Sequence, residues 1–307
     1  MNRRQMLAGS TGSIATAVSA QTSVDRAQAP ALDSSRTARV SAVARDGTRL
    51  LARSYGEGPT LFFVAGWCLP SDMWAYQVTP LVARGFRCVA YDRRGHGRSD
   101  DPGRGYDYDT LAADLDTVAA THDVADATLV AYSFGSGEAL RYLTRFGTRR
   151  FKRLLFLAPS TPFLARAADN PNGIDPALLA QGRAVIAKDF PGWLDDNEEP
   201  FVVPRTSRGM RQWLKAMMLQ TSMPALLECN RIMTNTDFRP ELRALDLPVH
   251  IIQGDRDASL PLALTGRPSA QMIRSATLAV YEGAPHGLFV SHAERLNGDI
   301  EAFARRP

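Results

Sequence analysis

The chain is poor in cysteine and histidine, and this scarcity excludes several kinds of site. It has 307 residues but only three cysteines and five histidines. The cysteines, Cys68, Cys88 and Cys229, lack the spacing of a disulfide framework or a zinc site, and at most one bridge can form among them. No two histidines have the spacing of metal ligands. We therefore predict that the protein uses no metal or haem cofactor.

Long apolar runs and an excess of one charge are also missing. No segment approaches the roughly eighteen consecutive apolar residues that span a bilayer, so no membrane span is predicted. The 36 basic residues nearly balance the 32 acidic ones, and the formal net charge is +4. Because nucleic-acid-binding surfaces carry a much larger basic excess, we predict no nucleic-acid partner. With 45% hydrophobic residues, the chain can bury the core of one enzyme-sized domain.

The first twenty residues differ in composition from the rest. Two adjacent arginines precede a weakly apolar stretch that ends in Ala20, a pattern typical of a twin-arginine export signal with a small-residue cleavage site. Residues 1–20 are predicted to be a signal peptide, and residues 21–37, rich in Ala, Ser and Gln, a flexible leader. The protein is then periplasmic or secreted. The alternative is a disordered tail on a cytoplasmic protein.

Beyond the leader, strand-like and helix-like segments alternate. A hairpin is predicted over residues 38–55, around an Asp-Gly turn. A helix is predicted from about residue 108 to 121. Buried strands are predicted over residues 60–64, 87–91, 127–130 and 153–157. The alternation predicts an α/β fold, with a mostly parallel sheet, helices on both faces and the functional site at the carboxyl ends of the strands.

This alternation breaks between about residues 160 and 238. The segment holds proline, glycine and acidic loops, followed by an amphipathic run in which Trp213, Leu214, Met217 and Met218 recur at helical spacing. We predict a helical cap that is inserted over the site, within a domain that covers residues 38–307.

Ser133 has the setting of a nucleophile. It follows an apolar strand-like run and precedes the small-residue turn 134–137, which opens a predicted helix. The G-x-S-x-G form of such an elbow is altered only at its first position, where Ala131 replaces glycine. Because the backbone at the serine is strained and the strand approaches the helix closely, the flanking residues must be small. Alanine still meets this requirement.

A serine hydroxyl attacks a carbonyl group only when a base takes its proton and a carboxylate orients that base. Candidates for both follow apolar runs, with Asp255 and Asp257 after residues 248–252 and His286 after residues 276–281. The chain order serine, aspartate, histidine is typical of α/β-hydrolases. The amide of Phe134, directly after the serine, is predicted to donate to the oxyanion of the tetrahedral intermediate.

Further motifs resemble those of one branch of this superfamily. They are Ala-Gly-Trp at 65–67, Asp-Met-Trp at 72–74, Tyr-Asp-Arg-Arg-Gly-His-Gly-Arg-Ser at 91–99, Thr-Asp-Phe at 236–238, Gly-Asp-Arg-Asp at 254–257 and Ala-Pro-His-Gly at 284–287. From about Val40 to the C-terminus, the chain resembles the cofactor-free, non-haem haloperoxidase, aryl esterase and perhydrolase branch of the α/β-hydrolases. The resemblance implies the α/β-hydrolase fold and a reaction that needs no metal ion. It also implies that the catalytic acid lies in a pattern Gly-x-x-Asp-x-x-x-Pro, which favours Asp257, with Asp255 as the alternative.

The resemblance also concerns the loop after the strand over residues 60–64. It places the second oxyanion amide at Trp67. The family usually has histidine before the Gly-Trp pair, whereas this chain has Ala65, so a hydrogen bond that shapes the loop is expected to be missing. Many relatives have proline directly after the pair, where this chain has Cys68. That difference favours ester or lactone hydrolysis over perhydrolysis.

The other histidines are predicted to be structural. His96 lies in a turn that is common in the superfamily, and a hydrogen-bonding role is predicted for it. His250 lies in an apolar strand and is predicted to belong to the core. His122 and His292 have polar, helix-like surroundings, which are typical of the surface.

Together these features predict a serine hydrolase that acts through an acyl-enzyme on a small, largely apolar ester or lactone. Trp67, Cys68 and Leu288 are candidate pocket residues. Hydrogen peroxide in place of water would give a peracid, so perhydrolysis is predicted as a side activity. The alternative is a non-catalytic or weakly active binding protein of the same fold, in which Ala65 and Ala131 mark a weakened site. Homo-oligomers are common among similar proteins, but no residues here specify an interface.

Overall fold

A computed structural model of the chain describes residues 37–306. The predicted signal peptide and residues 21–36 of the predicted leader lie outside this range, so the export prediction stays a prediction. Thr37, which we assigned to the leader, is the first residue of a strand. Over the described range, no helix has the length and apolarity needed to cross a membrane.

The strands of residues 37–306 form one eight-stranded sheet. The strands are β1 (Thr37–Val43), β2 (Arg49–Tyr55), β3 (Thr60–Val64), β4 (Arg87–Tyr91), β5 (Ala127–Tyr132), β6 (Phe151–Leu157), β7 (Val249–Gly254) and β8 (Ala276–Tyr281). Their order across the sheet is β1-β2-β4-β3-β5-β6-β7-β8. Strand β2 is antiparallel to both of its neighbours, and every pair from β4 to β8 is parallel. The predicted mostly parallel sheet is confirmed.

Helices connect the parallel strands, and two more follow the last strand. They are α1 (Ala75–Ala83), α2 (Tyr108–Thr121), α3 (Gly135–Phe146), α4 (Pro176–Lys188), α5 (Phe190–Asp196), α6 (Glu198–Phe201), α7 (Arg208–Met218), α8 (Met223–Asn235), α9 (Arg239–Ala244), α10 (Gly266–Met272), α11 (Leu288–Ser291) and α12 (Ala293–Ala304). Helix α2 covers the predicted range. Its first turn is capped by the Asp107 side chain, which accepts a hydrogen bond from the Thr110 amide at 2.9 Å.

The core lies on both faces of the sheet. Because successive strand residues point to opposite faces, Phe62 and Val64 of β3 pack in one apolar cluster, while Leu61 and Phe63 pack in the other. All six residues of β5 are buried, as expected for a central parallel strand. They include Ala131, so the position that is glycine in the elbow motif accepts a methyl group here.

The segment between β6 and β7 is mainly helical. Helices α4 to α8 lie within the range predicted as a cap, where the β pairing is limited to isolated bridges. Helix α7 turns Leu214, Met217 and Met218 inward, in agreement with their helical spacing. Two histidine predictions need correction. His122 is buried where α2 ends, and its carbonyl oxygen accepts a hydrogen bond from Arg87. His250 is only half-buried.

Candidate active site

The backbone around Ser133 forms a tight elbow between β5 and α3. Ser133 has a φ of 52°, in the left-handed region that non-glycine residues seldom adopt. Small neighbours make the turn feasible. A Cβ on Gly135 would lie 2.7 Å from the carbonyl oxygen of Ala65, and a Cβ on Gly66 would lie 2.7 Å from the Tyr132 ring. The strained serine is thereby held at the start of a helix, with its side chain at the carboxyl end of the sheet.

Three side chains from separate loops are hydrogen-bonded in series. The hydroxyl of Ser133 lies 3.0 Å from Nε2 of His286, and Nδ1 of His286 lies 2.8 Å from Oδ2 of Asp257. Ser133 follows β5, Asp257 follows β7 and His286 follows β8, so the parallel strands bring all three to one edge of the sheet. Asp255, the alternative acid, is exposed and accepts the amide of Gly283 at 2.7 Å instead.

Buried hydrogen bonds hold the Asp257 carboxylate in place. Its Oδ1 accepts the Leu260 amide at 2.8 Å, and its Oδ2 accepts the Gln253 side-chain amide at 3.2 Å. Gln253 is fully buried at the end of β7. Gln253 was not among the predicted site residues, although one amide side chain in an apolar strand just before the acid is a recognisable signal.

Aromatic side chains flank His286. The Tyr132 hydroxyl donates to the main-chain carbonyl of His286 at 3.0 Å, and the two rings lie with centroids 5.0 Å apart. Phe201, at the end of α6, makes an edge contact with the imidazole at 5.7 Å. The Phe201 carbonyl also accepts the amide of Gly287 at 2.8 Å. Phe201 was not predicted, because nothing in its local sequence indicates contact with a loop more than eighty residues away.

The two residues whose amides are predicted to donate to the oxyanion are held by different contacts. Over residues 37–306, neither the Phe134 amide nor the Trp67 amide donates a hydrogen bond to another protein group. The Phe134 ring stacks on Tyr108 at 5.0 Å. The Trp67 indole donates to the carbonyl of Leu226 in α8 at 2.8 Å, so the helical segment helps to fix the loop. The role of the two amides as oxyanion donors stays a prediction.

The loop that carries Trp67 is held despite the alanine at position 65. The Arg93 guanidinium donates to the carbonyl oxygen of Ala65 at 2.9 Å and to that of Gly66 at 3.3 Å. Alanine at position 65 cannot make the hydrogen bond that a histidine side chain would make there. The two hydrogen bonds from Arg93 hold the main chain of the loop.

A cavity of about 330 Å³ opens at Ser133 and His286. Its wall is formed by the loop after β3 and by side chains from α5, α6, α7 and α8. The apolar part of the lining includes Trp67, Leu69, Trp193, Phe201, Leu214 and Met218. Of the three predicted pocket residues, Trp67 and Cys68 line the cavity. The prediction for Leu288 is corrected, because its side chain is fully buried in the core under α11 and does not reach the cavity.

The charged side chains Glu198, Arg211 and Lys215 on the cavity wall take part in ion pairs. Arg211 donates to Glu198 at 3.1 Å, and Lys215 forms an ion pair with Asp195. Each of these three described wall residues thus has a partner of opposite charge.

Cys68 lies beside the site but is not a nucleophile candidate. Burial raises the pKa of its thiol far above the usual range, which keeps it protonated. Its φ of 54° is also notable, because proline has φ fixed near about −65° and cannot adopt this conformation. The loop backbone seen here is therefore incompatible with proline at position 68.

The fold agrees with comparisons to known proteins. Residues 59–293 match the family model of the alpha/beta hydrolase fold, and the chain belongs to that family. Among its relatives, the non-heme chloroperoxidase CPO-A1 of Kitasatospora aureofaciens is 35% identical over 269 residues, which cover 85% of this chain and 98% of that protein. The bifunctional esterase/perhydrolase DCH of Acinetobacter calcoaceticus is 30% identical, with 85% and 98% covered. A bromoperoxidase from Bacillus anthracis superposes with a TM-score of 0.84 at 30% identity, covering 88% of this chain and all of that one. These relatives support a hydrolase role.

Proposed function

We propose that this protein is a serine hydrolase that cleaves a small, largely apolar ester or lactone through an acyl-enzyme on Ser133. The observation that carries the proposal is the continuous hydrogen-bond series from Ser133 through His286 to Asp257, which opens on a largely apolar cavity. The paired charges of the wall favour a neutral substrate. A cavity of about 330 Å³ suits a compact molecule.

In the proposed reaction, Nε2 of His286 takes the proton of Ser133 as its oxygen attacks the substrate carbonyl carbon. The amides of Phe134 and Trp67 donate to the oxyanion that forms. The imidazolium, stabilised by Asp257, then gives its proton to the leaving alcohol. Water, deprotonated by His286, releases the acid and restores the serine.

Perhydrolysis is the second candidate activity. The names of the relatives, a chloroperoxidase and an esterase/perhydrolase, support it. Hydrogen peroxide would replace water in the second half of the reaction and leave with the acyl group as a peracid. The acyl-enzyme is the same, so both activities depend on Ser133.

The test is hydrolysis of a short-chain aryl ester by the purified protein, with and without peroxide. Ser133→Ala should abolish the product and also labelling by a fluorophosphonate probe. Ser269→Ala is the matched control, because Ser269 is fully buried but lies in α10 and is hydrogen-bonded to Thr161. Hydrolysis that persists in Ser133→Ala, or a probe adduct on another residue, would contradict the proposal. Peracid formed in the peroxide arm would establish the second activity.

A further inference from the structure

Arg93 is a buried cation that contacts both sides of the predicted oxyanion site. It is 2% exposed. Two of its guanidinium nitrogens donate to the carbonyls of Ala65 and Gly66, as described above. Its carbon Cζ lies 4.7 Å from the centre of the Phe134 ring, which places the cation over the aromatic face. One side chain therefore contacts the Trp67 loop and the residue after the nucleophile.

The contact with Gly66 acts directly on one oxyanion donor. The carbonyl group of Gly66 and the amide N–H of Trp67 belong to the same planar peptide unit. In a trans peptide these two groups point in opposite directions. A donor that fixes the Gly66 carbonyl on one side thus fixes the direction of the Trp67 N–H on the other.

A buried acidic partner anchors the guanidinium. Nε of Arg93 donates to Oε2 of Glu138 at 2.7 Å, and the Tyr91 hydroxyl donates to the other oxygen of Glu138. Glu138 is fully buried in α3, one turn after Phe134. Burial raises the pKa of the Glu138 carboxyl group and lowers that of the Arg93 guanidinium, so burial alone disfavours both charged forms. The anchor is therefore the geometry of the pair, in which the two groups lie in direct contact and away from water. The pair fixes Arg93 to the helix that begins at the nucleophile.

We propose that Arg93 is a positioning residue that sets the two oxyanion amides relative to each other. This inference rests on the proposed serine-hydrolase function. Arg93 does not line the cavity that opens at Ser133 and His286. It acts through the Gly66–Trp67 peptide and through the Phe134 ring, with Glu138 holding it in register.

The adjacent arginine supplies a matched control. Arg94 is equally buried and forms a two-point ion pair with Asp114, at 2.6 and 2.8 Å, but it contacts neither Ala65 nor Gly66. Arg93→Met and Arg94→Met each remove a buried guanidinium of similar size. Both variants should lose stability, and only Arg93→Met should affect the oxyanion site.

The experiment measures kcat, KM and the inhibition constant of an arylboronic acid, which forms a tetrahedral adduct with the serine. For Arg93→Met we expect kcat to fall by about 10- to 100-fold and boronate affinity to fall in parallel, with KM changed by less than about threefold. Arg94→Met should keep kcat and boronate affinity within about threefold of the wild type. Arg93→Lys, with one donor group in place of the fork, should recover only part of the loss.

Several results would overturn the inference. They are an unchanged kcat in Arg93→Met, an equal loss in both methionine variants, or a rise in KM alone. If Arg93→Met does not fold, Arg93→Met/Glu138→Gln, which removes the uncompensated carboxylate, is measured against Arg94→Met by the same criteria. A wild type with no Ser133-dependent turnover would refute the proposed function itself. Normal wild-type turnover with no effect at position 93 would refute only the role of Arg93.

Discussion

The backbone strain at Ser133 leads to a prediction that does not depend on the substrate. Ser133 has a φ of 52°, where a residue with a Cβ pays about 1–2 kcal/mol that glycine does not pay. Glycine in turn makes the unfolded chain more flexible, which costs about 0.5–1 kcal/mol relative to alanine. Ser133→Gly should therefore have a free energy of unfolding about 1 kcal/mol higher than that of Ser133→Ala. Both variants lack the hydroxyl and its bond to His286, so their difference contains the strain and the flexibility of the unfolded chain but not the lost hydrogen bond.

The measurement is equilibrium urea denaturation of the two variants, supported by thermal melting. About 1 kcal/mol corresponds to a difference in Tm of roughly 2–4 °C for a domain of this size. Ser269, in the helix α10, gives the control with the opposite sign. There Ser269→Gly should be less stable than Ser269→Ala by about 1 kcal/mol, because the helical backbone needs no left-handed residue. An alanine variant at position 133 that equals or exceeds the glycine variant in stability would refute the reasoning.

Three further predictions concern the acid, a buried histidine and the thiols. Asp257→Asn should lower kcat by roughly a thousandfold or more, whereas Asp255→Asn should keep kcat within about threefold of the wild type. Steady-state kinetics measures both, and similar losses in the two variants would contradict the assignment of Asp257 as the acid. Burial, together with the positive charge of Arg93, lowers the pKa of His96 to about 3 from 6.5, so below pH 6.5 the unfolded chain binds a proton that the folded chain does not, and stability falls as the pH falls. Between pH 6.5 and 5 the wild type should lose about 1.7 kcal/mol of stability that His96→Gln does not lose. Parallel urea denaturation of both proteins at the two pH values tests this, and equal losses would disprove it. Burial raises the pKa of all three cysteine thiols. None of them should therefore react with a thiol reagent in the native protein, and all three should react in denaturant. Rapid labelling of a thiol in the native protein would contradict this prediction.

Much of the fold was predictable because it depends on local patterns. Apolar runs of strand length, separated by helical segments, indicated β3, β4, β5 and the start of the parallel sheet. The range predicted for α2 agrees with the structure, in which the Asp107 side chain caps the first turn. The elbow at Ser133 was visible for the same reason, since its requirements for small residues apply to immediate neighbours in the chain.

Features set by distant contacts were harder to predict. Asp255 and Asp257 lie in the same loop, and only the path of the chain after β7 places one of them against His286. Leu288 is two residues from His286 in the chain, yet α11 turns its side chain into the core. His122 looked like a surface residue because its neighbours are polar, but the end of α2 is covered by other parts of the fold.

The sequence by itself determined the class of fold, the candidate nucleophile and the chain order of the three candidate site residues, because these depend on periodicity and on motifs within a few residues. Only the tertiary structure decided which acid contacts the histidine, which side chains form the cavity and how the loop with the predicted oxyanion amide of Trp67 is held. The reason is physical. Arg93, Ala65 and Glu138 lie on separate elements, and their contacts form only when neighbouring parallel strands bring the carboxyl-end loops together. Hydrogen bonds of this kind depend on three-dimensional distance, which no local pattern records.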